Sequence, residues 1–358
     1  MFGLSKEEIV KKDILIHNWV KFLSLTGYRL LSRPHVENIS YLLRLKKENV
    51  IFLYTGLHKS LWETTGVLAS IYLHGLPIPF TGMGDNLIKG KFFQRLATKA
   101  GVFLVKRPTT RKEVIESSKK LKQYITYYIA NGKDVVMYPE GTRRNVPDMG
   151  KYGKFFPTAF EAVLEYEKNK EKLLAEYKEL TPHNVYIVPF NTDYSQIRED
   201  YELVGKTGAK PLTLKVFDSF KMLKHVGDLY ISFGEPIKLA DHLDKSRKEL
   251  AIYTRERCLD LVKILPINIV AQAILDAFEG EEIKTDKILD NIDKNIKKIT
   301  PFKERFRGFE PGENPKDILN LVTSYKKNFK NIDSAHLPIY RLYANYINHY
   351  WEELRGRR

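Results

Sequence analysis

The chain has 358 residues, enough for two domains or one large domain with an appendage, and its 43% hydrophobic and 12% aromatic content excludes a disordered chain. A single cysteine, Cys258, excludes a disulfide framework, a cysteine-based zinc site and an iron–sulfur cluster, and points to a reducing compartment. The 59 Lys and Arg exceed the 44 Asp and Glu by 15, a surplus that favours an anionic partner: nucleic acid, an anionic lipid surface or a phosphorylated substrate.

In chain order, residues 5–31 read as an amphipathic helix, with Ile9, Ile14, Trp19, Phe22, Leu23 and Leu30 on one face and Ser5 and Glu8 spaced as a capping box. The N-terminus alternates charge instead of leading into an apolar run, so no secretory signal is expected. From residue 49 the texture changes. Continuous apolar runs of strand length occupy residues 49–55, 76–80, 134–138, 185–190 and 229–233, and a shorter one ends at Lys106 and Arg107. Runs that are apolar on both faces suit a sheet covered by helices on both sides. Helical patterns at 61–73, 89–100, 111–131 and 158–177 lie between them. The expected class is therefore α/β, with a mostly parallel or mixed central sheet flanked by helices. Beyond about residue 240 strand signals nearly vanish, and lysine-rich helical patterns cover 241–278, 284–299, 314–328 and 336–354. The expected organisation is an N-terminal helical segment over 1–45, a catalytic body over 46–240 and a C-terminal helical extension over 241–358. The best candidate spans, residues 18–31 and 261–278, are interrupted by charges and fall short of about 20 apolar residues. A protein on the cytoplasmic side of a membrane, peripheral to it, or simply cytoplasmic, is expected.

Four places along the α/β part could carry chemistry. Just past the first apolar run stands Gly56-Leu57-His58, with Glu63 five residues after the histidine. On one regular helix the two would diverge, because neighbours are three or four apart. They meet if His58 occupies the turn before the helix and Glu63 lies one turn inside it. A carboxylate holding one imidazole nitrogen leaves the other as a general base. Second come Lys106 and Arg107 at a strand end. Third is Tyr138-Pro139-Glu140-Gly141-Thr142-Arg143-Arg144, where a glycine and two arginine forks at a strand-to-loop transition suit phosphate capture. Fourth is Val188-Pro189-Phe190.

Taken together and in this order, the four blocks resemble the signature of the glycerolipid acyltransferases, a family joining glycerol-3-phosphate, lysophosphatidate and dihydroxyacetone-phosphate acyltransferases. The resemblance covers about residues 50–240, including Lys151-Tyr152-Gly153 and Phe233-Gly234-Glu235-Pro236-Ile237. It departs at Glu63, where the first block usually ends in Asp; Glu keeps the carboxylate and adds one methylene, and some lipid A acyltransferases carry it too. The C-terminal stretches beginning Leu265-Pro266-Ile267-Asn268 and Tyr343-Ala344-Asn345-Tyr346 look like helices of the glycerol-3-phosphate branch.

The resemblance implies a glycerol-3-phosphate O-acyltransferase of phospholipid biosynthesis, with a lysophosphatidate or dihydroxyacetone-phosphate acceptor as the alternative. His58 and Glu63 would be catalytic. Lys106, Arg107, Glu140, Gly141, Thr142, Arg143, Arg144 and Lys151 would bind the acceptor, Glu140 by bonding a glycerol hydroxyl or fixing Arg143, while Pro189 would shape the acyl channel. No metal or cofactor is implied beyond a co-substrate, acyl-CoA or acyl-carrier protein. An anionic membrane surface would engage the basic surplus. The rival from another class is a non-enzymatic anion- or nucleic-acid-binding protein using the same charge; nucleic acid is not expected, since no RNA-binding, zinc-finger or helix-turn-helix signature accompanies that charge.

Overall fold

The computed structural model describes residues 33–60, 63–88, 90–106, 109–141, 153–177, 180–197, 200, 204, 227–278, 284–326, 329–330, 332 and 334–356. The helix expected over 5–31 lies outside them.

The apolar runs become strands of one sheet, eight-stranded among the described residues. Strand β2 (Val50–Gly56) is buried along its whole length, as a central strand covered on both faces must be. It runs parallel to β5 (Val135–Met137) on one side and to β6 (Asn184–Tyr194) on the other. Next to β5 lie β3 (Phe80–Gly84) and then β4 (Val102–Val105), both parallel. On the other side β7 (Asp228–Phe233) pairs antiparallel with β6, and β1 (Arg33–Glu37) pairs parallel with β7. The short β8 (Ile237–Lys238) also pairs antiparallel with β6. The sheet is thus mixed, as expected. Two local expectations are corrected. The third strand begins at Phe80, where the apolar run 76–80 ends, and continues into a stretch containing two glycines. The segment 1–45 is not wholly helical: its described part contributes β1 to the sheet edge before α1 (Ile39–Leu45).

The helical patterns fall where the spacing predicts, as α2 (Glu63–Leu73), α3 (Lys91–Lys99), α4 (Arg111–Ala130) and α5 (Thr158–Glu176). Helix α4 starts on a capping box in which Thr110 and Glu113 satisfy each other's backbone N–H. The C-terminal region supplies α6 (Arg247–Leu259), α7 (Pro266–Ala277), α8 (Thr285–Ile299), α9 (Pro315–Tyr325), α10 (Leu337–Asn345) and α11 (Asn348–Gly356). Helix α7 is buried on nearly every side, packed among α8, α9 and α10. Pro266 opens it, where a missing N–H costs nothing. Asn268 accepts from the Leu265 N–H and donates to the Tyr343 carbonyl, both at 2.8 Å. One hydrophobic core runs without a break from the sheet through these helices. Among the described residues, no helix is long and apolar enough to cross a membrane.

Candidate active site

In a sheet of this kind, sites assemble beyond the carboxyl ends of the parallel strands. Here β2, β5 and β6 come side by side, with Thr55 level with Met137 on one neighbour and with Pro189 on the other. Gly56 closes β2, and a side chain there would drive a Cβ to 2.4 Å from the Phe190 ring. The chain can therefore pass close over β6 and deliver His58 to the strand ends.

His58 and Glu63 do meet. Among the described residues α2 begins at Glu63, whose Oε2 accepts from His58 Nδ1 at 2.8 Å. The other oxygen, Oε1, accepts from the Lys59 N–H at 2.7 Å and the Thr192 hydroxyl at 2.9 Å. Glu63 is 0% exposed, while the His58 side chain keeps 16% exposure. A proton held on Nδ1 by this carboxylate leaves Nε2 as the proton-accepting nitrogen. Tyr138, at the end of β5, stacks on the imidazole with ring centroids 4.6 Å apart. Burial, and then the negative charge of Glu63, push its phenol well above its usual pKa, so it stays neutral beside the histidine.

Glu140 reaches the same place by another route. Its Oε1 accepts from the His58 N–H at 3.0 Å and its Oε2 from the Gly153 N–H at 2.8 Å. These contacts tie the histidine turn to the chain after the third block; Arg143, the other contact expected of Glu140, lies outside the described residues. Gly141 follows with φ +70°, a left-handed conformation that favours glycine, and its Cα faces the Phe156 ring.

The remaining expected residues divide. Pro189 is buried in β6 and lines a cavity of about 460 Å³ with Gly234, Tyr253 and Leu261. Lys106 is exposed, and its described ion pair is with Glu113 at the start of α4, at 2.8 Å. Arg107, Thr142, Arg143, Arg144 and Lys151 lie outside the described residues.

Motif spacing missed a second tier of residues. Lys59, 3% exposed, forms a buried ion pair with Asp193. Asp193 also accepts from Asn191 at 2.6 Å and from the Lys263 N–H at 2.9 Å. Burial raises the Asp193 carboxyl above its usual pKa, although the Lys59 charge opposes the rise. Lys59 also sits 5.4 Å from the Tyr346 ring centroid, which joins the site to the C-terminal helices. Thr192 and Asp193 thus hold the residues on either side of the histidine turn. The only sequence signal for them was a polar Asn-Thr-Asp run ending an otherwise apolar strand. Cys258 is buried with its thiol donating to the Thr55 carbonyl at 3.4 Å, and burial raises its pKa strongly, so it offers no thiolate nucleophile. Among the described residues, no cluster of His, Cys, Asp and Glu is arranged to hold a metal ion.

Residues 33–192 match the model of the Acyltransferase family. The chain is 28% identical over 226 residues to a protein of Alteromonas mediterranea called glycerol-3-phosphate acyltransferase, a match covering 61% of this chain and 25% of that protein. It is 23% identical over 246 residues to a protein of the same name from Shewanella denitrificans, covering 66% of this chain and 28% of that one. The chain therefore spans little more than a quarter of the length of these relatives. Residues 33–192, which carry the His58–Glu63 pair, are therefore similar to the Acyltransferase family.

Proposed function

We propose that this protein moves an acyl chain from an acyl thioester to the sn-1 hydroxyl of glycerol 3-phosphate, the first acylation of phospholipid biosynthesis. The observation that carries this reading is the buried carboxylate of Glu63 on His58 Nδ1 at the mouth of the sheet. Glu63 fixes the ring's tautomer and supports the imidazolium that forms, as the acid does in a serine-protease triad, with the acceptor hydroxyl in place of serine. His58 Nε2 takes the hydroxyl proton as the oxygen attacks the thioester carbonyl. The tetrahedral intermediate collapses, the carbon–sulfur bond breaks, and the proton passes to the departing thiolate. The products are the ester and the free thiol.

Arg107 and Arg143, which follow β4 and β5 in sequence, bind the acceptor phosphate through bidentate forks. Lys106, Thr142, Arg144 and Lys151 assist, while Gly141 lets the backbone approach the acceptor. Glu140 acts as a positioning residue through the His58 and Gly153 amides. Pro189 borders the acyl channel. The donor carrier is coenzyme A or acyl-carrier protein, and an anionic bilayer surface is the expected partner of the whole molecule.

An acceptor panel with one acyl thioester tests the reading: glycerol 3-phosphate, dihydroxyacetone phosphate, lysophosphatidate and unphosphorylated glycerol, with the position of the ester determined. The expected result is a 1-acyl product from glycerol 3-phosphate at far higher kcat/KM than from the rest. Preference for lysophosphatidate or dihydroxyacetone phosphate would replace the acceptor assignment. Equal use of glycerol would remove the phosphate site from the account.

A further inference from the structure

Among the described residues, nine large hydrophobic side chains are left exposed, and their distribution is uneven. Phe92 and Phe93, 72% and 37% exposed, begin α3, and Val114 and Ile115, 47% and 65% exposed, lie in the first turns of α4. Phe156, 63% exposed, is tied by its N–H to the Pro139 carbonyl just past β5. All five follow the carboxyl ends of β3, β4 and β5, which run parallel to one another and to β2. They therefore stand at the end of the sheet where His58 and Glu63 lie.

Their surroundings are cationic. Lys91 and Arg95 flank the phenylalanines on α3, and Arg111 and Lys112 precede Val114; all four are exposed. Of the acids there, Glu113 is engaged with Lys106 and Glu116 is exposed. Helix α3 buries none of its residues, although its sequence is amphipathic. The helix packs against β4 yet leaves its aromatics in water. A cationic, amphipathic helix with protruding aromatics suits the boundary between headgroups and acyl chains.

We infer that this face, made by the start of α3, the start of α4 and Phe156, is the surface by which the protein docks on an anionic lipid bilayer, holding the mouth of the site against the membrane. The inference rests on the proposed function, because docking at this end places the site where an acylated product can pass into lipid without crossing water.

Sedimentation with vesicles of phosphatidylcholine, with and without a minority of phosphatidylglycerol, tests it on the full chain. The variants are Phe92→Ser combined with Ile115→Ser, and Leu321→Ser on α9 as a remote exposed control. Each is also assayed with a short-chain, water-soluble acyl thioester and glycerol 3-phosphate. Wild type and L321S should bind vesicles containing phosphatidylglycerol, and F92S/I115S should bind at least about tenfold more weakly, since two deep apolar contacts are lost. All three should keep equal activity on the soluble donor, which shows the double variant to be folded. Binding by the double variant equal to wild type, no vesicle binding by wild type, or equal loss in L321S would overturn the inference. So would a dimer in light scattering that the double variant abolishes, because a second copy would then cover the face. Absence of wild-type activity on the soluble donor would count against the proposed function, whatever the vesicles showed.

Discussion

Glu63 performs two tasks with its two oxygens: Oε2 holds the imidazole, and Oε1 is held by the Lys59 amide and the Thr192 hydroxyl. Glu63→Gln keeps the shape but loses the charge that supports the imidazolium, so kcat should fall by about 100-fold or more with little change in KM. Glu63→Asp shortens the side chain toward the residue more usual in the family. Recovery of substantial activity in it would show that the carboxylate, rather than its reach, is what the histidine needs. Thr192→Val removes one hydrogen bond of about 1 kcal/mol from Oε1 and should lower kcat several-fold, with Thr192→Ser restoring it. If Val and Ser behave alike, the hydroxyl plays no part in holding Glu63. The His58–Glu63 pair was legible because its spacing is local and a strand end announced it. Thr192 and Glu140 were not, because their contacts join positions 129 and 82 residues distant in sequence, which no periodicity records.

Among the elements, α10 and α11 contribute most beyond packing. Tyr346, just after α10, faces the Lys59 ammonium, and the partly buried His349 in α11 lies near the same charge. Burial, then the Lys59 and Arg255 charges, hold the His349 pKa down at about 3, so the ring is neutral in the folded protein. The unfolded chain binds this proton below about pH 6.5 and the folded one only near pH 3. Stability should therefore fall as pH drops from about 6.5 toward 3, with the unfolded state taking up the proton. His349→Gln should flatten that part of the profile of Tm against pH; an unchanged slope would mean the ring already titrates normally in the fold. The interior strands and the long helices were legible from apolar runs and helical spacing. Strand β1 was not, because its half-exposed sequence Arg-Pro-His-Val-Glu has no apolar run and gains its place by pairing with β7. Strand β3 was misplaced because glycines dilute its apolar signal.

On the scale of the whole molecule, the surplus of 15 positive charges accords with the proposed docking on anionic lipid. Vesicle binding should require anionic lipid and weaken steeply with salt, since the Debye length shrinks to about 3 Å at 1 M. Equal binding to neutral vesicles at high salt would assign the attachment to apolar insertion alone. The sequence conveyed the fold class through its alternating strands and helices, and the likeness to acyltransferases through four short blocks. It could not convey that the C-terminal helices share one core with the sheet and reach Lys59, since that is decided by packing between distant segments. The most direct test of the account is the release of free thiol from an acyl thioester in the presence of glycerol 3-phosphate, for the wild type and His58→Ala. The account predicts a loss of about 100- to 10,000-fold in kcat for the variant, with the fold intact by circular dichroism. Turnover equal to wild type in His58→Ala would contradict it.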